Sequence, residues 1–183
     1  MPETLQATAN DELTDEEWTA IQQQIESTLD AFAAFRTQEG QALQQMFNTK
    51  LDEVMNLLAQ VQQFESGRVD KIRERLEQNL NLLAEKTKQQ IDANRLEQEM
   101  IYYLEKLDIT EEKVRLTNHV RYFREVMETE GTGVGKKLGF IAQEMGREIN
   151  TLGSKSNQSE MQIIVVKMKD ILEQIKEQVL NVL

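Results

Sequence analysis

Glu144 and Glu148, four residues apart, stand beside an unusually regular apolar stripe. The stripe is Leu138, Ile141, Met145, Ile149 and Leu152, with the spacings of three and four that mark one helix face. At 100° per residue it spans about 80°. Lys137, Glu144, Glu148 and Thr151 then share one flank, about 60° to 120° from Met145. Carboxylates on the shoulder of a buried stripe are half desolvated, which is where their pKa values shift or where they hold cations.

A second polar flank lies upstream. Taking Val120 as the centre of the next helix face, Glu112, Arg115 and His119 fall together about 80° to 140° away. His119 is the single histidine of the chain. If the two helices pack side by side, Glu112 and His119 face Glu144 and Glu148. Glu112, Glu144 and Glu148 would then suit a hard divalent cation such as Mg²⁺ or Mn²⁺, with His119 as ligand or general acid/base. Such an ion activates water and neutralises charge on a phosphodiester oxygen, and Lys137, Arg147 and Lys155 are available to hold phosphates. The plainer reading is that each glutamate is solvated or bridges a nearby Lys or Arg, and that His119 is structural. Gly131–Lys136, GTGVGK, resembles a phosphate-binding loop, but Glu130 replaces its first glycine. No Ser or Thr follows Lys136, and no strand precedes the loop, so a nucleotide site is rejected.

The elements that must position these residues are all helical. Residues 1–13 lack periodicity and read as a flexible lead-in. Thr14 followed by Asp15-Glu16-Glu17 is a helix start. From Trp18 the apolar positions run Ile21, Ile25, Leu29, Phe32, Phe35, then Leu43, Met46, Phe47, Leu51, Val54, Leu58, Val61 and Phe64. A stripe that long cannot bury itself and needs a partner helix. Ser66-Gly67 breaks it, and a second stripe from Val69 to Leu107 reads as the antiparallel return. Asp108 or Thr110 caps the helix of Leu116, Val120, Phe123 and Met127. A last helix from about Gln158 carries Met161, Ile164, Met168, Ile171, Ile175, Val179 and Val182. Gly153 reads as the residue ending the helix of Glu144 and Glu148. The expected fold is all-α: a long antiparallel helical hairpin over 14–107, serving as an oligomerisation arm, then a compact helical C-terminal region over 108–183 with the candidate active site.

Composition sets the outer bounds. The 183 residues are 39% hydrophobic and 29% charged, with one Pro and no Cys, which fits a helix-rich protein without disulfides or thiolate chemistry. No apolar run reaches the length of a membrane span and the acidic N-terminus is no signal peptide, so a cytoplasmic location without membrane contact is expected. The net charge of −11 argues against nucleic acid only superficially. Residues 1–65 hold twelve acids and two bases, whereas 130–183 hold seven of each.

Four stretches carry a family resemblance. They are FRTQEGQAL (Phe35–Leu43), NRLEQE (Asn94–Glu99), DITEEKVRLTNH (Asp108–His119) and the C-terminal GVGKKLGFIAQEMGREINTLGSKSNQSE with EQIKEQVLNV. In this order they resemble the YicC/YloC family of bacterial proteins, most specifically through QEMGREINTLGSKSN (Gln143–Asn157). The resemblance implies a metal-dependent endoribonuclease that cleaves single-stranded RNA, with Mn or Mg as cofactor, and a homo-oligomer, a hexamer for the intact protein. It implies an N-terminal domain with strands that this chain lacks, so the chain is expected to be a fragment. Carried over by position, the family's polar residues include Arg95, Glu112, Arg115, His119, Lys137, Glu144, Arg147, Glu148, Asn150, Lys155 and Ser156. The roles implied are catalysis for His119, Glu144 and Glu148 and metal ligation for Glu112, Glu144 and Glu148. Arg95, Arg115, Lys137, Arg147, Asn150, Lys155 and Ser156 would contact RNA. Members tend to carry Asp at the position of Gly139 and Asn at that of Gly146. The competing expectation is a non-catalytic helical oligomerisation or interaction module whose polar flanks are salt bridges.

Overall fold

The computed structural model describes residues 13–65, 68–87, 93–129, 133–156 and 158–182, and within them every regular element is an α-helix. Six follow in order: α1 (Asp15–Glu65), α2 (Arg68–Thr87), α3 (Ala93–Leu107), α4 (Thr110–Thr129), α5 (Gly135–Lys155) and α6 (Ser159–Val179). The chain is all-α, as its periodicities require. It divides into two compact units, residues 1–42 and 43–183, with the boundary inside α1.

The first unit holds the start of α1. Thr14 caps it: its hydroxyl accepts from the Glu17 N–H at 3.3 Å while Glu17 Oε2 accepts from the Thr14 N–H at 2.9 Å. This reciprocal pair is a capping box, and it satisfies two amides that the helix itself leaves unpaired. The Thr14 N–H and, second, the Thr14 hydroxyl, both donating to Glu17 Oε2, hold that carboxyl below its ordinary pKa. Trp18, Ile21, Ile25, Leu29, Phe32 and Phe35 are all exposed. The helix runs on through Gly40 without a break.

The second unit is built around α5. Its five stripe residues Leu138, Ile141, Met145, Ile149 and Leu152 are buried, and α5 packs against both α4 and α6. Leu116, Val120 and Phe123 enter from α4, and Met161, Ile164, Met168, Ile175 and Val179 from α6. The continuation of α1 joins the same core through Phe47, Leu51, Val54, Leu58 and Val61. Phe47 meets Phe123 edge to face at 5.5 Å, and Arg124 pairs with Asp52 at 2.5 Å.

Among the described residues the expected return comprises α2 and α3, which pack on each other. The buried part of the α1 stripe shares its core with the C-terminal helices, α4 supplying the ring against Phe47. One expectation is corrected. Gly153 does not end α5, which continues to Lys155; it is buried where α6 comes close. A Cβ on Gly153 would stand 2.9 Å from Val165 Cγ1, so its smallness sets the approach of the two helices. The left-handed conformation falls instead on Gly133, with φ 85°, in the turn before α5.

Phe123 is fully buried and touches the ring that ties α1 to the core. Phe123→Ala is expected to lower unfolding stability by about 3–5 kcal/mol, the cost of a large cavity. Urea titration followed by circular dichroism measures it.

Candidate functional site: the polar seam between α4 and α5

Three cross-helix contacts define how α4 and α5 meet. Lys155 Nζ lies 2.8 Å from Glu112 Oε1, Arg115 Nη1 lies 4.0 Å from Glu148 Oε1, and Lys137 Nζ stands 5.2 Å from the Tyr122 ring centroid. Residue numbers climb along α4 as they fall along α5, so the helices are antiparallel. His119 lies between Arg115 and Tyr122, and Glu144 between Glu148 and Lys137; both are half-buried at one level of the seam. The flank drawn from helical geometry is therefore a physical line of side chains beside the core.

Glu112 anchors one end. It is 4% exposed, in the first turn of α4 where the helix dipole favours a carboxylate. Lys155 donates to Glu112 Oε1 and to the Asp108 carbonyl, both at 2.8 Å, joining the end of α5 to the start of α4. Glu112 Oε2 is buried with no hydrogen-bond partner among the described residues. Such an oxygen carries a desolvation cost and has lone pairs left to give. Beside it, Asp108 Oδ1 accepts from the Thr110 hydroxyl at 2.7 Å and the Thr110 N–H at 2.9 Å. These two bonds, the hydroxyl first, hold the Asp108 carboxyl below the ordinary aspartate range, with smaller attraction from Lys155 and Lys113.

One turn along, Glu148 is buried and faces Arg115 at a distance too long for a hydrogen bond but within ion-pair range. Arg115 is also held by Glu111 on its own helix. Glu144 pairs with Arg147 at 2.8 Å within α5, an exposed contact of small energetic weight. Among the described residues no three His, Asp or Glu side chains converge as a metal site. The seam thus alternates carboxylates with cations.

The remaining candidates divide. Arg147 and Asn150 are exposed on α5. Ser156 is buried, and its hydroxyl donates to the Leu152 carbonyl at 2.5 Å, closing the last turn of α5. The side chain of Gln162 then donates to the Gly153 and Ser156 carbonyls at 2.7 and 2.6 Å. Arg95 belongs to α3, with its side chain outside the described residues, as are Gly131 and Thr132 of the glycine-rich loop. Sequence reading missed Tyr122 and Gln162, because a partner across a helix interface becomes visible only once the register is known.

This arrangement belongs to a recognised class. Residues 61–183 match the family described as endoribonuclease YicC-like, C-terminal, so the helical region is an endoribonuclease-family domain. The chain belongs to the YicC-like endoribonuclease family. It is 33% identical over 165 residues to a protein of Clostridioides difficile (strain 630) named "Probable endoribonuclease YicC", covering 90% of this chain and 56% of that protein. It is 34% identical over 157 residues to a protein of the same name from Haemophilus influenzae, covering 86% of this chain and 53% of that protein. The chain spans about half the length of the curated relatives it matches. Among the described residues no helix is long and apolar enough to cross a membrane.

Gly139 and Gly146, where the resemblance leads one to expect Asp and Asn, face away from the seam. A Cβ on Gly146 would lie 3.2 Å from Leu172 Cδ2, and one on Gly139 3.7 Å from Val179 Cγ1, both on α6. They leave the polar line toward α4 untouched.

Removing one partner of the anchoring pair strands a buried charge. Lys155→Met is expected to cost about 2–4 kcal/mol, toward the low side of buried pairs because Lys155 is partly exposed. Lys155→Met combined with Glu112→Leu should cost less than Lys155→Met alone; a denaturant-based double-mutant cycle reads the difference. Asp108 gives a pH signature. Its contribution is fully present above the unfolded aspartate value near ~3.9 and is lost as pH falls through the lower folded value. Asp108→Asn should therefore flatten the fall in stability on that acid side, measured by urea melts at stepped pH.

Proposed function

We propose that this chain is the helical part of a metal-dependent endoribonuclease acting on single-stranded RNA, with the α4–α5 seam as its working surface. The observation that supports this reading is the buried, unpartnered Glu112 Oε2 on the same polar seam as buried Glu148, in a chain of an endoribonuclease family. These donors fit a magnesium-like ion, which commonly takes one or two carboxylates and completes its shell with water and substrate phosphate. Glu112 and Glu148 would hold it. When bound, the ion would supply Lewis-acid stabilisation of a phosphodiester oxygen and a water of lowered pKa.

The chain's own residues do the rest. Arg115, Arg147, Lys137 and Lys155 offer positive charge along the seam to the RNA backbone, fixing its position without reading sequence. Arg95 and Asn150 extend the RNA contacts implied by the family. His119, half-buried at the level of Glu144, moves the proton as general acid or base. Ser156 contributes by closing α5, which holds Lys155 at the Glu112 end.

A second reading has its own observation: the exposed aromatic and aliphatic stripe at the start of α1 suits an assembly module. One assay separates them. The chain is incubated with end-labelled single-stranded RNA in Mn²⁺, Mg²⁺ or EDTA, beside Glu112→Gln/Glu148→Gln, whose fold is checked by circular dichroism. Cleavage that needs the cation and falls at least ~100-fold in the variant is expected, the scale of lost transition-state charge stabilisation. Full cleavage in EDTA or by the folded double variant overturns the proposal.

A further inference from the structure

The core takes every large apolar side chain of α5 except one. Phe140 is 56% exposed, and across the seam Tyr122 of α4 is 41% exposed. At 100° per residue Phe140 sits about 140° from Met145, on the outer edge of the flank that carries Lys137 and Glu144. It lies three residues from Lys137 and four from Glu144, and Lys137 Nζ stands over the Tyr122 ring, 5.2 Å from its centroid. The two rings therefore belong to opposite lips of one seam, with Lys137 against the first and one turn from the second. Lys136, Phe140 and Arg147 fall within about 40° of one another, which sets a cation before and a cation after the exposed ring. Arg147 is shared with Glu144 at 2.8 Å. A single exposed aromatic ring is ordinary on any protein surface. Two rings interleaved with Lys136, Lys137 and Arg147 form the pattern that single-stranded nucleic acid calls for, rings for base faces and charges for the backbone.

We infer that Phe140 and Tyr122 stack unpaired bases of the RNA, and that these two rings position the strand on the seam and set its preference for single strands. This rests on the seam being the working surface proposed above. A base stacked on Tyr122 takes the ring face opposite Lys137, which brings its phosphate within reach of that lysine. A base on Phe140 is flanked by Lys136 and Arg147 in the same way. His119 and Glu144 share one level of the seam, and Phe140 is one turn of α5 from Glu144. A strand held by both rings thus lays a phosphodiester beside His119. Stacking asks only for a π-face, so it tolerates any base. A duplex hides those faces between neighbouring pairs, and rings on a protein surface reach only bases that are splayed out. Phosphate contacts alone would accept either form.

The test reads binding apart from cleavage. Fluorescence anisotropy of the whole chain in EDTA follows three labelled probes: oligoadenylate, the same strand annealed to oligouridylate, and a strand of equal length without bases. The chain should bind oligoadenylate more tightly than either of the others. Phe140→Ala and Tyr122→Ala should each lose at least ~5-fold on oligoadenylate, the low end of what one stacked base contributes, with little change on the baseless strand. Phe140→Trp and Tyr122→Phe keep a ring and should bind as the unaltered chain does, whereas Phe140→Leu keeps only bulk and should not. Circular dichroism and sedimentation check the fold and the subunit number of each variant. Duplex or baseless strand bound as tightly as oligoadenylate, alanine variants that bind like the unaltered chain, or full binding by Phe140→Leu overturns the inference. So does a loss of affinity that comes with an altered subunit number, which gives the ring to a contact between chains. The two readings fail separately. Cleavage indifferent to Glu112→Gln/Glu148→Gln while these affinities hold removes the metal site alone, and cation-dependent cleavage with unchanged alanine variants removes the rings alone.

Discussion

The burial of α5 between α4 and α6 is the constraint on which the second unit depends. One narrow apolar stripe, Leu138 to Leu152, must be covered from both sides, so α4 is pressed along α5 over most of its length. The residues on the shoulder of that stripe are then held at the edge of the core whatever their charge. Glu112 and Glu148 are buried because Leu116, Val120, Met145 and Ile149 fix the backbones that carry them. Their desolvation is offset only in part by Lys155 and Arg115, and the residue of that imbalance is the unpaired Glu112 oxygen. Site and core are consequences of the same packing.

Much of this was legible in the residue order. Hydrophobic periodicity reports which face of a helix is buried: the stripe of α5 is fully buried, and those of α4 and α6 are buried except at Met127, Ile171 and Val182, which are partly covered. The Thr14 cap and the Asp108 start could be read because capping is a local exchange of hydrogen bonds. Partner choice is a different matter. Nothing in the stripe of α1 says whether a returning helix or a C-terminal one covers Phe47, since both offer Leu, Ile and Val at helical spacing. Gly153 illustrates the same limit. A glycine near a helix end signals either a left-handed cap or a close neighbour, and only the approach of Val165, whose Cγ1 would stand 2.9 Å from a Cβ on Gly153, decides between them.

The candidate site was legible as a flank but not as a set of bonds. Helical angles bring Glu112, Arg115 and His119 onto one side of α4, and Lys137, Glu144 and Glu148 onto one side of α5. Which acid meets which base follows from the sliding register of two antiparallel helices. A shift of one turn would exchange every partner. Glu144 turns to Arg147 on its own helix, the local alternative open to any surface glutamate, whereas Glu112 reaches a lysine 43 positions away. Gly139 and Gly146 illustrate the opposite side: both face α6, where packing alone sets their surroundings.

A seam of alternating charge is also what the proposed chemistry asks of a site at rest. Carboxylates gathered without cations repel one another and favour protonation, which would blunt them as ligands. Here Lys155 and Arg115 keep Glu112 and Glu148 opposed by positive charge in place of one another. On the proposed reading, an arriving phosphodiester competes for those same cations and turns the acids from salt-bridge partners into ligands. The attraction that orders the resting seam and the attraction that seats the substrate are then drawn from the same side chains. An all-acidic cage, by contrast, would have to be organised by its metal before RNA could be held at all.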